Sequence, residues 1–188
     1  FVSSEITIYD DNLAVIYTSI KYIADTFKQK ELPFWNPYVY CGMPAIADNP
    51  YVSIYNPLSI LFFVFGNHIS YSIRLYYLII LLIGAISIFL LTKEYNFNEW
   101  TSLLSSILFI FSFTSLFFIR EGFSTWATIY FLGPAILLFL RRGIINNNKI
   151  YPIISGILFG WTILSSGPYG LFINGIIITV FIFSHKIE

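Results

Sequence analysis

Long apolar runs dominate the second part of the chain, and short polar stretches separate them. A helix that crosses the hydrocarbon core of a bilayer needs about 20 predominantly apolar residues, with a lower limit of about 17. Two runs reach that length, and three shorter ones need flanking residues or a packed setting to span. The five predicted spanning helices cover residues 73–92, 100–119, 125–140, 151–165 and 169–184. The pattern predicts an all-α polytopic membrane protein whose bundle occupies residues 71–188.

Residues 1–70 show a different pattern and form a separate region. Over residues 10–30 the apolar positions recur at helical spacing, which predicts one amphipathic helix lying on the membrane surface or on the bundle. Residues 33–57 contain five prolines among many aromatics, and each proline fixes φ and disfavours helix before it. We therefore expect these residues to form a loop with a restricted backbone conformation. Residues 57–66 are apolar but too short to span, so we expect a short interfacial or re-entrant helix.

Composition narrows the class of protein. The chain is 57% hydrophobic and only 11% charged, which places it outside the range of soluble domains. It has zero net charge and no basic patch, so nucleic acid is not an expected partner. The single cysteine, Cys41, excludes an internal disulfide and a cysteine-based metal site. No cofactor is indicated, and the sequence leaves a divalent metal as an open option.

Lys and Arg in the short loops predict the orientation, because cytoplasmic loops are enriched in these residues. One side of the predicted bundle holds Lys93, Arg141, Arg142, Lys149 and Lys186, whereas the loops on the other side hold only Arg120. We therefore expect residues 1–70 and the turns at 120–124 and 166–168 to be external to a bacterial cytoplasmic membrane. The chain starts at Phe1 without a signal-peptide pattern, so we expect a fragment that lacks a preceding spanning helix.

An acidic pair, Asp10 and Asp11, opens the predicted amphipathic helix. Asp at this position caps the free amides of a first helical turn and complements the helix dipole. A carboxylate at a boundary between water and membrane can also act as a general base or help to bind a cation. The residues alone favour the cap.

Four short motifs follow the acidic pair and the amphipathic helix: Leu-Pro-Phe-Trp-Asn-Pro-Tyr at 32–38, Gly-Met-Pro-Ala at 42–45, Ala-Asp-Asn-Pro at 47–50 and Tyr-Asn-Pro-Leu at 55–58. In this arrangement the chain resembles the YfhO-like membrane proteins of the glycosyltransferase-C (GT-C) superfamily. The specific part of the resemblance covers residues 31–58, and a weaker similarity continues through the hydrophobic part. It implies a GT-C-like helical bundle with a large, partly helical first external loop.

The resemblance also implies an activity, namely inverting transfer of a sugar from a polyprenyl-phosphate carrier to an envelope glycan, lipid or protein acceptor on the external face. In that superfamily an acidic residue of the first external loop is the catalytic base, and Asp10 or Asp11 occupies the matching place. The lipid-linked sugar and the bilayer are then the expected partners, and partner membrane subunits are compatible with it.

Other residues are candidates for substrate binding. Arg120, with Glu121 beside it, is a candidate contact for the phosphate, although an arginine paired with Glu121 at the membrane surface explains both residues equally well. Trp35 and Tyr38 suit stacking on a sugar ring or an isoprenoid, or anchoring at the interface without a ligand. Asp48 could bind an acceptor or a metal, but capping a turn before Asn49-Pro50 is favoured.

Two other classes of protein remain open at this stage. The first is a non-catalytic membrane subunit or a degenerate GT-C relative within a larger assembly, since a fold does not establish an activity. The second, a transporter, is disfavoured because the predicted spans carry almost no charge apart from Arg74 near one end.

Overall fold

The computed structural model describes residues 17–32, 34–38, 41–44, 56–65 and 68–185. The described part of the chain is predominantly helical. Three of its helical stretches are long and apolar enough to cross a membrane: Ile69–Glu94, Glu99–Glu121 and Ser124–Asn146. Two shorter apolar helices follow them. The expected class, an all-α membrane protein, is confirmed.

The first described region holds short elements. They are helix α1 (Thr18–Lys28), strands β1 (Trp35–Asn36) and β2 (Met43–Pro44), a 3-10 turn (Pro57–Ser59) and helix α2 (Ile60–Val64). The two strands pair antiparallel, with Trp35 opposite Pro44. The part of the predicted 10–30 helix that precedes residue 17 lies outside the described residues. The predicted short helix at 57–66 is a 3-10 turn followed by little more than one α-helical turn.

The second region is the bundle. Its helices are α3 (Ile69–Glu94), α4 (Glu99–Ile110), α5 (Phe113–Glu121), α6 (Ser124–Asn146), α7 (Ile150–Ser166) and α8 (Pro168–His185). Most of these helices extend beyond the apolar runs that predict them, because polar residues at their ends continue the helical hydrogen bonding. Asn98, for example, caps α4 by accepting a hydrogen bond from the Thr101 amide.

One predicted element needs correction. The sequence predicts a single helix over 100–119, whereas the structure has two helices, α4 and α5, within one stretch of spanning length, Glu99–Glu121. Ser112 has an extended backbone at the break, and its hydroxyl accepts from the Ser115 amide at 3.2 Å. The Ser115 hydroxyl in turn donates to the Phe109 carbonyl at 2.7 Å. Hydropathy cannot reveal the break, because these two small hydroxyls replace the missing backbone hydrogen bonds inside an apolar run.

Helix α6 lies at the centre of the bundle and packs against α3 and α7 most extensively. Small residues and hydroxyls allow these close approaches, as is common between helices in membranes. At Gly84 of α3, a Cβ atom would lie only 2.7 Å from the Phe131 ring of α6. Ser155 of α7 donates to the Ile136 carbonyl of α6 at 3.0 Å.

Helix α1 is amphipathic and packs on the bundle. It buries Ile20, Ile23 and Ala24. The two isoleucines join a core that includes Tyr76 of α3 and Phe131 of α6. Of the two placements that the sequence left open for this helix, the structure shows the packed one.

The helical stretches of the bundle alternate in direction, with α4 and α5 together forming one stretch, because each connection between stretches is only a few residues long. One end of the bundle, the loop end, comprises the start of α3, the α5–α6 turn and the α7–α8 turn. The opposite end, the basic end, comprises residues 94–99 and 141–150. At the basic end Arg142 forms an ion pair with Glu94 at 2.8 Å, and the Arg141 guanidinium lies 3.7 Å from the centre of the Tyr95 ring.

Candidate functional site

A cleft of about 660 Å³ lies between α1 and the segment 34–38, and we call it the loop-end cleft. One wall is the exposed face of α1, which contributes Lys21, Tyr22, Asp25, Thr26 and Gln29. The facing wall contributes the rings of Phe34, Trp35 and Tyr38. Carboxylate, amide, hydroxyl and ammonium groups therefore face exposed aromatic surface across the cleft.

Trp35 is held in place from two directions. Its ring lies against Gly42, where an added Cβ would approach the indole to 2.7 Å, and the φ of +110° at Gly42 also disfavours a side chain. Its carbonyl accepts a hydrogen bond from the Tyr22 hydroxyl at 2.5 Å, which ties the segment to α1. The position of the indole is therefore fixed while its side chain stays 56% exposed.

Tyr38 completes the aromatic wall. Its ring packs edge-on against Tyr22 with the ring centres 6.3 Å apart. The side chain is nevertheless 85% exposed, and its backbone amide donates to the Asn36 side chain at 2.9 Å. The turn thus presents the Tyr38 phenol at the rim of the cleft rather than in a core.

A buried polar network fixes the end of the Pro-rich loop to the bundle. The side-chain oxygen of Asn56 accepts from the Leu58 amide and from the Trp161 indole N–H, each at 3.0 Å. Its side-chain nitrogen donates to the Tyr76 hydroxyl at 3.2 Å, and that hydroxyl also contacts Thr128. One asparagine therefore connects the loop with α3, α6 and α7.

The sequence pattern does not reveal this network. Trp161 and Tyr76 lie in apolar runs that hydropathy assigns to the membrane, and Trp161 is separated from Asn56 by 105 positions. The available signal was Asn56-Pro57 itself, since Asn before Pro at the start of a helical turn is a common cap.

The structure does not bring all of the predicted site residues together. Trp35 and Tyr38 line the loop-end cleft, whereas Arg120 and Glu121 are not among its lining residues. Arg120 pairs with Glu121 at 3.5 Å and is largely exposed, as the alternative explanation for these residues requires. Asp10, Asp11 and Asp48 lie outside the described residues.

No metal centre is evident among the described residues. Within that part of the chain, no group of three His, Cys, Asp or Glu side chains is placed to hold an ion. The polar side chains of the loop-end cleft include the charged residues Lys21, Asp25 and Glu31 and the neutral residues Thr26 and Gln29. These groups can hydrogen-bond to a polar ligand, and the exposed rings can contact its apolar C–H groups.

These observations define the class of protein. The long apolar helices make this an integral membrane protein. The loop-end cleft, with its polar and aromatic walls, is the candidate site. The chain belongs to the family described as Dolichyl-phosphate-mannose-protein mannosyltransferase, and the match covers residues 48–188. This is a glycosyltransferase family of the GT-C superfamily, so the expected superfamily is confirmed. No curated protein and no solved structure matches the chain.

Membership of that family supports the broader part of the resemblance found in the sequence, namely the superfamily. The motifs that resemble YfhO-like proteins lie at residues 31–58, whereas the match begins at residue 48. The GT-C assignment therefore rests on the bundle and the end of the Pro-rich loop. The narrower YfhO-like assignment stays a prediction.

Proposed function

We propose that this chain forms part of a glycosyltransferase that moves a sugar from a polyprenyl-phosphate carrier to an acceptor hydroxyl at the loop end. Family membership carries this proposal, and the family's description favours mannose as the sugar. The loop end then faces the exterior of a bacterial cytoplasmic membrane, in keeping with the distribution of Lys and Arg. The acceptor is an envelope glycan, a lipid or a protein.

The proposed chemistry is a direct displacement. The acceptor oxygen forms a bond to the anomeric carbon while the bond from that carbon to the phosphate oxygen breaks, which inverts the configuration. The acceptor proton passes to a carboxylate, for which Asp10 and Asp11 are our candidates. The polyprenyl phosphate leaves with the bonding electron pair, and a nearby cation such as Arg120 stabilises its charge.

We assign the loop-end cleft to the sugar or the acceptor glycan. Support comes from the fixed indole of Trp35, the exposed ring of Tyr38 and the polar face of α1 opposite them. An open, amphipathic cleft of this kind also favours a catalytic role over that of a non-catalytic subunit, in which a partner would cover the surface. Asp48 follows in the same loop and is a further candidate for acceptor contact.

The decisive experiment replaces both Asp10 and Asp11 by Asn and measures transfer of labelled mannose from polyprenyl-phosphate mannose in native membranes. Asn caps helices as well as Asp does, so the double variant should fold. Loss of a general base should lower the transfer rate by about 10²- to 10⁴-fold. Glu99→Gln removes an exposed carboxylate at the basic end and is the control. Normal transfer by the double variant would refute the assignment of the base.

A second comparison tests the cleft. Trp35→Ala should raise the concentration of acceptor needed for half-maximal rate by about two- to tenfold, because an aromatic contact is worth roughly 0.5–1.5 kcal/mol. Trp100→Ala is the matched control, since Trp100 is also exposed but lies at the basic end. Equal effects of the two substitutions would remove the cleft from the binding site.

A further inference from the structure

An apolar groove of about 410 Å³ lies within the bundle, bordered by α4, α5, α6 and α8. Its walls include Phe109 and Phe118 on either side of the helix break, Tyr130 and Pro134 of α6, and Ile177 of α8. The rings of Phe109 and Tyr130 are stacked with their centres 4.6 Å apart. The groove is separate from the loop-end cleft and shares no lining residue with it.

One side chain in this groove is polar although its surroundings are apolar. Asn174 of α8 is only 1% exposed, and neither its amide nitrogen nor its amide oxygen has a hydrogen-bond partner among the described residues. Its oxygen lies 3.4 Å from the position that a Cβ of Gly133 would occupy. A primary amide without partners in an apolar environment costs several kcal/mol, so this position calls for a ligand with a polar group.

The other residues that line the groove are mostly apolar or aromatic, Tyr130 and Pro134 of α6 among them. The groove therefore combines a hydrocarbon surface with the buried amide of Asn174. The groove therefore suits an amphiphile that has a polar group next to an apolar chain.

The depth of Asn174 selects among amphiphiles. It lies six residues after the start of α8 at Pro168, which corresponds to about 9 Å along the helix axis. Trp126 and Tyr169, whose ring centres are 5.1 Å apart, lie nearer the loop end, and Trp and Tyr are enriched at membrane interfaces. Ester carbonyls of bilayer lipids lie just below the headgroups at this depth, whereas an isoprenoid is pure hydrocarbon below its phosphate.

We propose that this groove binds one ester-linked acyl lipid of the bilayer. The Asn174 amide donates to an ester carbonyl of the lipid, and the acyl chain lies along Phe109, Tyr130 and Ile177. This assignment needs no glycosyl transfer, so it stands or falls independently of the function proposed above.

Photo-crosslinking in vesicles tests the proposal. Ile177 is replaced by p-benzoylphenylalanine, and the protein is reconstituted into vesicles of equal parts ester-linked and ether-linked phosphatidylcholine with a small fraction of polyprenyl phosphate. Mass spectrometry of the adducts should show ester-linked over ether-linked lipid by about threefold, the population ratio that one modest hydrogen bond in a membrane produces. Asn174→Leu in the same background should abolish the preference.

The control is the same crosslinker at Ile176, the neighbouring position on α8, which lines a different surface and is more exposed. It should capture the two phosphatidylcholines in equal amounts, with or without Asn174. Equal capture at position 177 would overturn the proposal, because the groove would then hold bulk lipid only. Preferential capture of polyprenyl phosphate would assign the groove to the sugar carrier, and preferential capture of protein would assign it to a helix. If Asn174→Leu does not fold, the ester preference of the parent protein remains decisive.

Discussion

Asn56 shows how much a single side chain contributes to the architecture of the loop end. Its amide holds the turn at Leu58 and bonds to Trp161 and Tyr76, and the residue is almost fully buried. A buried amide with every group paired favours one arrangement over its alternatives. The Pro-rich loop therefore leaves the bundle from a fixed point.

Asn56→Leu should lower the free energy of unfolding by about 1–3 kcal/mol, because it leaves the Trp161 indole and the Tyr76 hydroxyl without this partner. Unfolding in mixed micelles with increasing denaturing detergent measures the change. Asn146→Leu, at an exposed position of the basic end, is the control and should have little effect. A loss no larger than that of the control would show that the network is not stabilising.

At the residue scale, the sequence predicted surface aromatics better than buried polar groups. Trp35 and Tyr38 are candidates because their rings can stack on a sugar ring or an isoprenoid or anchor at the interface, and both line the cleft. Asn56 and Trp161 acquire their roles from neighbours distant in sequence. Nothing in the local pattern around an Asn in an apolar helix states whether its amide is paired.

At the scale of elements, the packing of α3 on α6 depends on the absence of a side chain at Gly84. Gly84 faces the Phe131 ring, and Phe109 of α4 approaches the same point. Hydroxyl groups make further links, such as the bond from Ser106 of α4 to the Ala85 carbonyl of α3 at 2.8 Å. Close backbone approach and small polar contacts therefore add to the buried apolar core that α3 and α6 share.

Gly84→Ala should destabilise the bundle by about 1–3 kcal/mol, since its Cβ would overlap Phe131 and force a shift in a packed core. Thermal unfolding in detergent provides the measurement. Gly156→Ala is the matched control: nothing lies within 4 Å of its Cβ position, and alanine favours helix by about 1 kcal/mol over glycine. If the two substitutions had the same effect, close packing at Gly84 would not explain the contact.

The approximate positions of the apolar runs were predictable but their continuity was not, since five predicted spanning helices correspond to six bundle helices in the structure. Hydropathy locates the apolar runs because the hydrocarbon core imposes their length and composition. Hydropathy does not detect the break at Ser112, because two serine hydroxyls replace the lost backbone hydrogen bonds without changing the mean hydropathy of the run. The distinction between membrane surface and bundle for α1 was open for a similar reason, since either apolar environment buries the same face.

At the scale of the whole molecule, the orientation in the membrane is a prediction that one native residue can test. Cys41 is the single cysteine of the chain, and it is exposed in the segment next to β2. A membrane-impermeant maleimide should label it in intact cells or right-side-out vesicles, because the predicted topology places it outside.

The control for this labelling uses the opposite end of the bundle. In a Cys41→Ser background, Lys149→Cys should react only after the membrane is permeabilised, since Lys149 is exposed at the basic end. Labelling of Lys149→Cys but not of Cys41 in intact cells would reverse the orientation. The loop-end cleft would then face the cytoplasm, and the proposed external reaction would have to be abandoned.

The break between α4 and α5 has a mechanical consequence. Helix α5 is nine residues, or about 14 Å, long, so a tilt of about 10° around Ser112 displaces Arg120 by about 2 Å while α4 stays in place. The hydrogen bond between the hydroxyls of Ser112 and Tyr130, at 3.2 Å, resists such a tilt. The position of the Arg120 guanidinium therefore depends on the short helix α5 and on the hydrogen-bonded break at Ser112, not on one continuous helix.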